Sequence, residues 1–484
     1  MANVDLTLLT DFYQLTMMQG YHNLDSYNQI AVFDLFYRSN PHGSSFAIAA
    51  GLDQAIDYIN NLNFSDEDIS YLRDQNVFSD EFLDYLGTFR FTGDIYAVPE
   101  GTVVFPNEPL LKIVAPLCEA QLIETALLTL INHQSLIATK AARVKWAAGD
   151  DVVLEFGLRR AQGADAGIYG ARAAVIGGCS ATSNVLAGKM FDIPAKGTHA
   201  HSWVMSFPDE LTAFRKYAHL YPTTCLLLVD TYDTLKSGVP NAITVFRELR
   251  EQGVKLGFYG IRLDSGDLSY LSKKARKMLD DAGFEDAIIS ASSDLDEYLI
   301  RDLKLQGAKI TLWGVGTNLI TSKGCPSFGG VYKLSAKYEE GTYIPKMKIS
   351  ENPGKITNPG NKKIFRIYDK NTGKIKADLI ALNHETIDSS KPLVLFDPKA
   401  TWKKMELKPN SYYTKDLLVP IFQQGKCVYK SPSTFDIKKY CEQELSTLWD
   451  ESRRLINPQT VYVDLSQELY DLKQTMIKEF KQDR

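Results

Sequence analysis

Lys255 to Leu268 reads KLGFYGIRLDSGDL. An apolar run reaches Leu263 and stops at the polar corner Asp264-Ser265-Gly266-Asp267, ahead of an amphipathic pattern over 267–282. A short apolar run that ends in polar residues and passes into a helix is half of a parallel βαβ unit. The rhythm repeats outward from this stretch. VVLEF (152–156), CLLLVD (225–230), AIISAS (287–292) and KITLWG (309–314) are further runs, with helical patterns over 239–252 and 294–306. The middle of the chain, from about 150 to 335, is therefore expected to be α/β, its right-handed crossovers leaving an open sheet or closing a barrel. Arg159, Asp230, Arg262, Asp264, Ser292 and Gly314 all fall at or just past the C-terminal ends of these runs. That edge is where parallel α/β folds bind ligands.

On either side the rhythm changes. The first 140 or so residues mix short strand and helix patterns. Residues 31–37 alternate like a strand, and Pro116 and Glu119 open a helical stretch to about Ala148. Residues 351–363 (ENPGKITNPGNKK) read as a loop or hairpin, 364–382 as β structure, and Leu465, Leu469, Leu472, Met476 and Phe480 as the apolar face of a closing helix. At 484 residues the chain needs two or three domains. The divisions expected are 1–140, 141–335 and 336–484, the last partly returning to the first. A net charge of −5 offers no basic footprint for nucleic acid. No apolar stretch approaches the ~18 residues of a membrane span, and the N-terminus lacks a signal-peptide pattern. Six scattered cysteines with no C-x-x-C pair argue against a cysteine zinc site and fit the cytoplasm.

Five segments carry candidate chemistry. Gly197-Thr198-His199-Ala200-His201 places two of seven histidines two residues apart. Imidazole suits proton or phosphoryl transfer near neutral pH. Alone, the pair reads equally as polar loop residues or as two metal ligands. VDTYDT (229–234) ends a strand in Asp230 and Asp233, good ligands for Mg²⁺ through water, or else helix caps. In IRLDSGDL (261–268), Arg262 and Asp264 alternate and face the same way, which suits phosphate plus metal or a structural ion pair, and Asp267 suits a helix cap. WGVGTN (313–318) sets Gly314, Gly316 and Thr317 after a strand, a backbone cradle for phosphate that matches neither common phosphate-loop pattern. FGLRRAQG (156–163) puts Phe156 beside Arg159, an aromatic to stack a flat heterocycle and a cation to hold an anion.

Together, and in this order, these segments resemble the nicotinate phosphoribosyltransferase family over most of the chain. So do LTDFYQLTM (9–17) and SNVLAG (183–188), and the long C-terminal region is similar to the family's longer branch. The resemblance implies the irregular α/β barrel of the type II phosphoribosyltransferases, with an α+β N-terminal domain and a C-terminal extension. It implies the transfer of phosphoribosyl from phosphoribosyl pyrophosphate to nicotinate in NAD biosynthesis, with ATP as co-substrate through a phosphohistidine. By the same resemblance that histidine is His201, with no role for His199. Tyr13 and Thr198 are nicotinate contacts, Phe156 and Arg159 flank the pyridine, and Arg262, Ser292, Gly314, Gly316 and Thr317 contact the remaining substrate. Asp230 and Asp264 are catalytic and organise Mg²⁺ (or Mn²⁺). A homodimer with shared active sites is implied, Tyr13 reaching the neighbouring copy. In a relative that acts on nicotinamide, an aspartate near the SNVLAG region binds the amide. Ser183 and Asn184 here carry no acid, which favours the carboxylate substrate. The alternatives are the nicotinamide enzyme, a metal-dependent barrel hydrolase built on the two histidines, and a phosphoribosyl-ligand sensor that binds without turnover.

Overall fold

The computed structural model describes residues 5–482. It divides into two compact units, residues 137–326 and residues 1–136 with 327–484.

The unit 137–326 is built on six parallel strands: β1 Val152–Glu155, β2 Ala181–Thr182, β3 Leu226–Leu228, β4 Gly260–Leu263, β5 Ile288–Ala291 and β6 Leu312–Val315. Their hydrogen-bonded order is β2-β1-β6-β5-β4-β3. The interior strands are largely buried, so most of their residues appear in sequence as short apolar runs. Helices Val239–Glu251, Leu268–Asp281 and Glu297–Leu305 follow β3, β4 and β5. Each starts at a recognisable signal. Pro240 stands in the first turn of one, and Asp267 and Asp296 accept backbone N–H groups at the heads of the others. The ladder leaves two edges, β2 and β3. Ala195 bridges Thr182 beside β2, and four residues on, the His199 ring accepts the N–H of Leu228 in β3. Residues 195–199 thus link the two edges, and the sheet closes as an irregular barrel.

A buried ion triad fastens this unit from within. Lys140 and Arg143 meet Glu297 at 2.6 and 3.0 Å, all three side chains almost wholly shielded from water. Burial alone would raise the Glu297 carboxyl, but Lys140 and Arg143 outweigh it and hold it below its ordinary range.

The other unit contains a seven-stranded antiparallel sheet that draws on both ends of the sequence: Ile30–Tyr37 pairs with Leu111–Pro116 on one side and with Gly330–Glu339 on the other. Strand 30–37 is buried on both faces after its first residue, although its sequence alternates. A second sheet, with Lys362–Asp369 and Ile375–Leu382 at its centre, covers an apolar core that includes Ile367, Leu379, Leu395 and Tyr412. Two expectations change here. The helical stretch from Glu119 is two helices, Leu117–Leu122 and Glu124–Ala148. Leu465 lies not in the closing helix but in strand Tyr462–Leu465, and the helix begins at Gln467. The apolar spacing runs unbroken across that join because Leu465 and Leu469 are buried in one cluster. Among the described residues, no helix is long and apolar enough to cross a membrane.

Candidate active site

Five of the six strands of the barrel end in the residues that the sequence singled out, and the ends of β3, β4 and β5 converge with the segment 198–201. Arg262, near the end of β4, is the hub. Its Nε donates to Ser292 Oγ just past β5 at 2.9 Å, Nη1 to Thr198 Oγ1 at 3.2 Å and Nη2 to Asp264 Oδ1 at 3.1 Å. A guanidinium spreads five N–H donors in a rigid fork, so one side chain can tie three loops. Ser292 in turn donates to Asp264 Oδ1. Asp264 is one-third exposed or less. Burial raises its carboxyl, but the Ser292 hydroxyl, the Arg262 guanidinium and the nearby His201 overcome this and keep it ionised below the ordinary aspartate range.

His201 completes the cluster. It opens the short helix His201–Met205, half-exposed, with Nε2 3.7 Å from Asp264 Oδ2 and Nδ1 3.1 Å from Thr231 Oγ1. Thr231 carried no signal of its own in the sequence beyond standing between two aspartates. The two aspartates separate in role. Asp233 accepts the N–H groups of Leu235 and Lys236 and is a helix cap. Asp230 turns inward: Oδ2 accepts the Asp264 N–H at 2.9 Å and the Ser265 hydroxyl at 2.6 Å, while Oδ1 is buried without a hydrogen-bond partner. A buried carboxylate oxygen left without a donor is costly unless something else supplies one.

The neighbouring strand ends frame a flat slot. Phe156 follows β1, and a Cβ on Gly314 would stand only 2.6 Å from its ring, so Gly314 is buried beneath the ring and seats it. Gly316 lies against the Phe156 carbonyl and heads the short helix Thr317–Ile320. Ser293 (φ 93°) and Asp294 (φ 22°) turn through left-handed backbone after β5. The Asn318 amide holds that turn by donating to the Asp294 and Leu295 carbonyls at 2.7 and 3.2 Å. Asn318 is a tie between the β5 and β6 loops that the sequence reading did not single out. Arg159 is exposed on the turn Leu158–Arg160 beyond Phe156. Asn184 is spent locally, capping helix Val185–Phe191 and donating to the Gly167 carbonyl.

Tyr13, half-exposed near the start of helix Phe12–Asn23, belongs to the other unit. His199 does not join His201 as a second ligand, because its Nε2 lone pair is taken by Leu228 N–H at 3.2 Å. Burial pushes its imidazole down to about 4, so it stays neutral. Among the described residues, no group of three or more histidines, cysteines, aspartates or glutamates is placed to cage a metal ion.

Residues 8–132 match the nicotinate phosphoribosyltransferase (NAPRTase) N-terminal domain, residues 152–362 the nicotinate phosphoribosyltransferase (NAPRTase) family and residues 361–473 the nicotinate phosphoribosyltransferase C-terminal domain. The chain is 50% identical over 476 residues to nicotinate phosphoribosyltransferase of Bacillus subtilis (strain 168), covering 98% of this chain and 96% of that one. It is 37% identical to that of Dictyostelium discoideum, over 98% of this chain and 90% of the relative. The crystal structure of human nicotinic acid phosphoribosyltransferase superposes with a TM-score of 0.85 at 31% identity, over 96% of this chain and 99% of that one.

Proposed function

The chain belongs to the nicotinate phosphoribosyltransferase family, and we propose that His201 is the residue through which ATP drives its reaction. The family's reaction joins nicotinate to phosphoribosyl pyrophosphate, giving nicotinate mononucleotide and pyrophosphate for NAD biosynthesis. The fold is that of the type II phosphoribosyltransferases.

The observation that carries the reading of His201 is its placement between Thr231 and Asp264. A carboxylate facing Nε2 keeps the ring proton there, which leaves the Nδ1 lone pair as nucleophile. At rest the Thr231 hydroxyl donates to that lone pair. Nδ1 attacks the γ-phosphorus of ATP, the bond to the bridging oxygen breaks, and ADP leaves with its electron pair. Water later takes the phosphoryl group from the histidine as inorganic phosphate. Asp264 stabilises the positively charged ring, and Arg262 with Ser292 fixes the angle of Asp264.

For the glycosyl step, the nicotinate ring nitrogen forms a bond to C1 of the ribosyl group as the pyrophosphate oxygen departs. The protein's work there is positioning and charge stabilisation. Phe156 stacks the pyridine, seated by Gly314, and Arg159 and Thr198 lie toward its carboxylate. Arg262 directs three of its five donors within the protein, so two remain for substrate oxygens. Ser292, Gly316 and Thr317 line the loops that cradle the phosphoribosyl group. Asp230 and Asp264 suit Mg²⁺ (or Mn²⁺). Asp264, partly exposed, and Asp230, whose buried Oδ1 has no protein donor, would hold such a cation together with water and substrate phosphates. Bound there, such a cation would offset the charge of the leaving pyrophosphate. Tyr13 is exposed at a helix start, a placement that suits contact with the nicotinate site of a second copy in a homodimer. All six cysteines are free, which fits a cytoplasmic enzyme.

Pyrophosphate release from nicotinate and phosphoribosyl pyrophosphate, with and without ATP, tests the assignment. Release is expected to rise with ATP in the wild type and not in His201→Ala. A preference for nicotinamide over nicotinate, or an ATP response that survives in His201→Ala, would count against it.

A further inference from the structure

His199 and His201 face different partners on one strand and the loop that follows it. Leu228 is the last residue of β3, an edge of the sheet, and is fully buried. An edge strand presents N–H groups with no neighbouring strand to accept them, and a buried one cannot turn to water. For Leu228 the acceptor is the His199 ring, Nε2 to N at 3.2 Å. An imidazole nitrogen that accepts carries no proton, so the ring proton is on Nδ1, which faces the Ala200 carbonyl at 3.4 Å. The ring is 7% exposed and lies edge-on to Tyr217 at 4.7 Å, with Phe214 at 6.2 Å. Two residues later the His201 ring meets Thr231, three residues beyond Leu228. The loop 199–201 is therefore fastened to the run 228–231 at two points, one a ring on a backbone N–H and the other a ring on a hydroxyl.

We infer that His199 is a positioning residue: its ring stands in for the missing strand partner of Leu228 and sets the register in which His201 meets Thr231 and Asp264. This rests on the reading of His201 as phosphoryl acceptor and adds the part that holds it. A slip of one residue would carry His201 about 3.5 Å along the strand, clear of Thr231. In-line transfer does not tolerate that, since a misplacement of about 1 Å costs on the order of 100-fold in rate. An apolar residue would fill the same space between Tyr217 and β3 but leave the Leu228 N–H without an acceptor.

Two substitutions separate filling from accepting. His199→Phe keeps an aromatic side chain and removes the acceptor, whereas His199→Gln restores an acceptor at similar reach. With γ-labelled ATP, His199→Phe should form phosphoenzyme roughly 100-fold more slowly than wild type, and His199→Gln should recover most of that loss. The KM values for nicotinate and phosphoribosyl pyrophosphate without ATP should stay close to wild type. Labelling of His199→Phe at the wild-type rate, or a His199→Gln no faster than it, overturns the proposal. A wild type that takes up no phosphate would instead defeat the reading of His201. Should His199→Phe fail to fold, ring-¹⁵N histidine spectra of the wild type decide. The proposal expects the His199 ring fixed as the neutral Nδ1–H form, and an Nε2–H or doubly protonated ring at neutral pH contradicts it.

Discussion

Arg366 in one unit and Arg262 in the other each hold an aspartate, at 2.6 Å to Asp378 and 3.1 Å to Asp264. The Arg366 cluster is sealed from solvent. Arg366 Nε and Nη2 both reach Asp378, Nη1 reaches Glu444 at 2.9 Å, and the guanidinium lies 5.2 Å from the centre of the Phe105 ring. Glu108 is buried in the same cluster, its carboxyl pushed well up by burial and by the charge of Asp378. The Arg262 cluster is half-open. Its donors go to three different loops, His201 is 40% exposed, and Asp230 Oδ1 has no partner. The same ionic groups serve the fold where they are sealed. They serve a ligand where they are open to one.

Four changes sharpen or break this contrast. The largest effect is expected from Arg366→Met, which strands two buried carboxylates and should cost about 3–5 kcal/mol of folding stability, read from urea unfolding. Arg262→Lys should do the reverse. Its kcat/KM should fall roughly 100-fold, about 2.7 kcal/mol, because an ammonium cannot span Thr198, Ser292 and Asp264 together, while the unfolding midpoint hardly moves. An Arg262→Lys protein that unfolds as easily as Arg366→Met would erase the distinction. Thr231→Val should slow phosphoenzyme formation by a factor of about 5–10, the worth of one hydrogen bond of about 1 kcal/mol, with the KM for nicotinate unchanged. Smallest is a pair of opposite pH slopes in stability. Glu108 is raised in the folded state, so its contribution is present at low pH and is lost as pH rises above the ordinary glutamate range near ~4.3. Asp264 is lowered, so its contribution is present above the ordinary aspartate pKa of ~3.9 and is lost as pH falls through the folded value. Unfolding midpoints across this range should lose the first slope in Glu108→Gln and the second in Asp264→Asn.

Much of this architecture could be read from the chain because largely buried parallel strands are written mostly as short apolar runs. Runs at 152–156, 225–230, 255–264, 287–292 and 309–314 all contain strands. Strand Ala181–Thr182 escaped because two residues make no pattern, and Leu465 was misplaced because helical spacing continued through a strand end. Site residues were legible where charge is conspicuous, as in Arg262 and Asp264. Thr231, Asn318 and His199 act through hydrogen bonds to groups 24 to 30 residues away, and no local spacing encodes such partners.

The central claim is that the half-open cluster is organised around a phosphoryl-accepting histidine. Incubation with γ-labelled ATP, followed by counting acid-labile phosphate on the intact chain and locating it by peptide mass, tests this directly. Stoichiometric label on His201 in the wild type and none in His201→Ala is the expected result; label retained by His201→Ala, or found on another residue, contradicts the account.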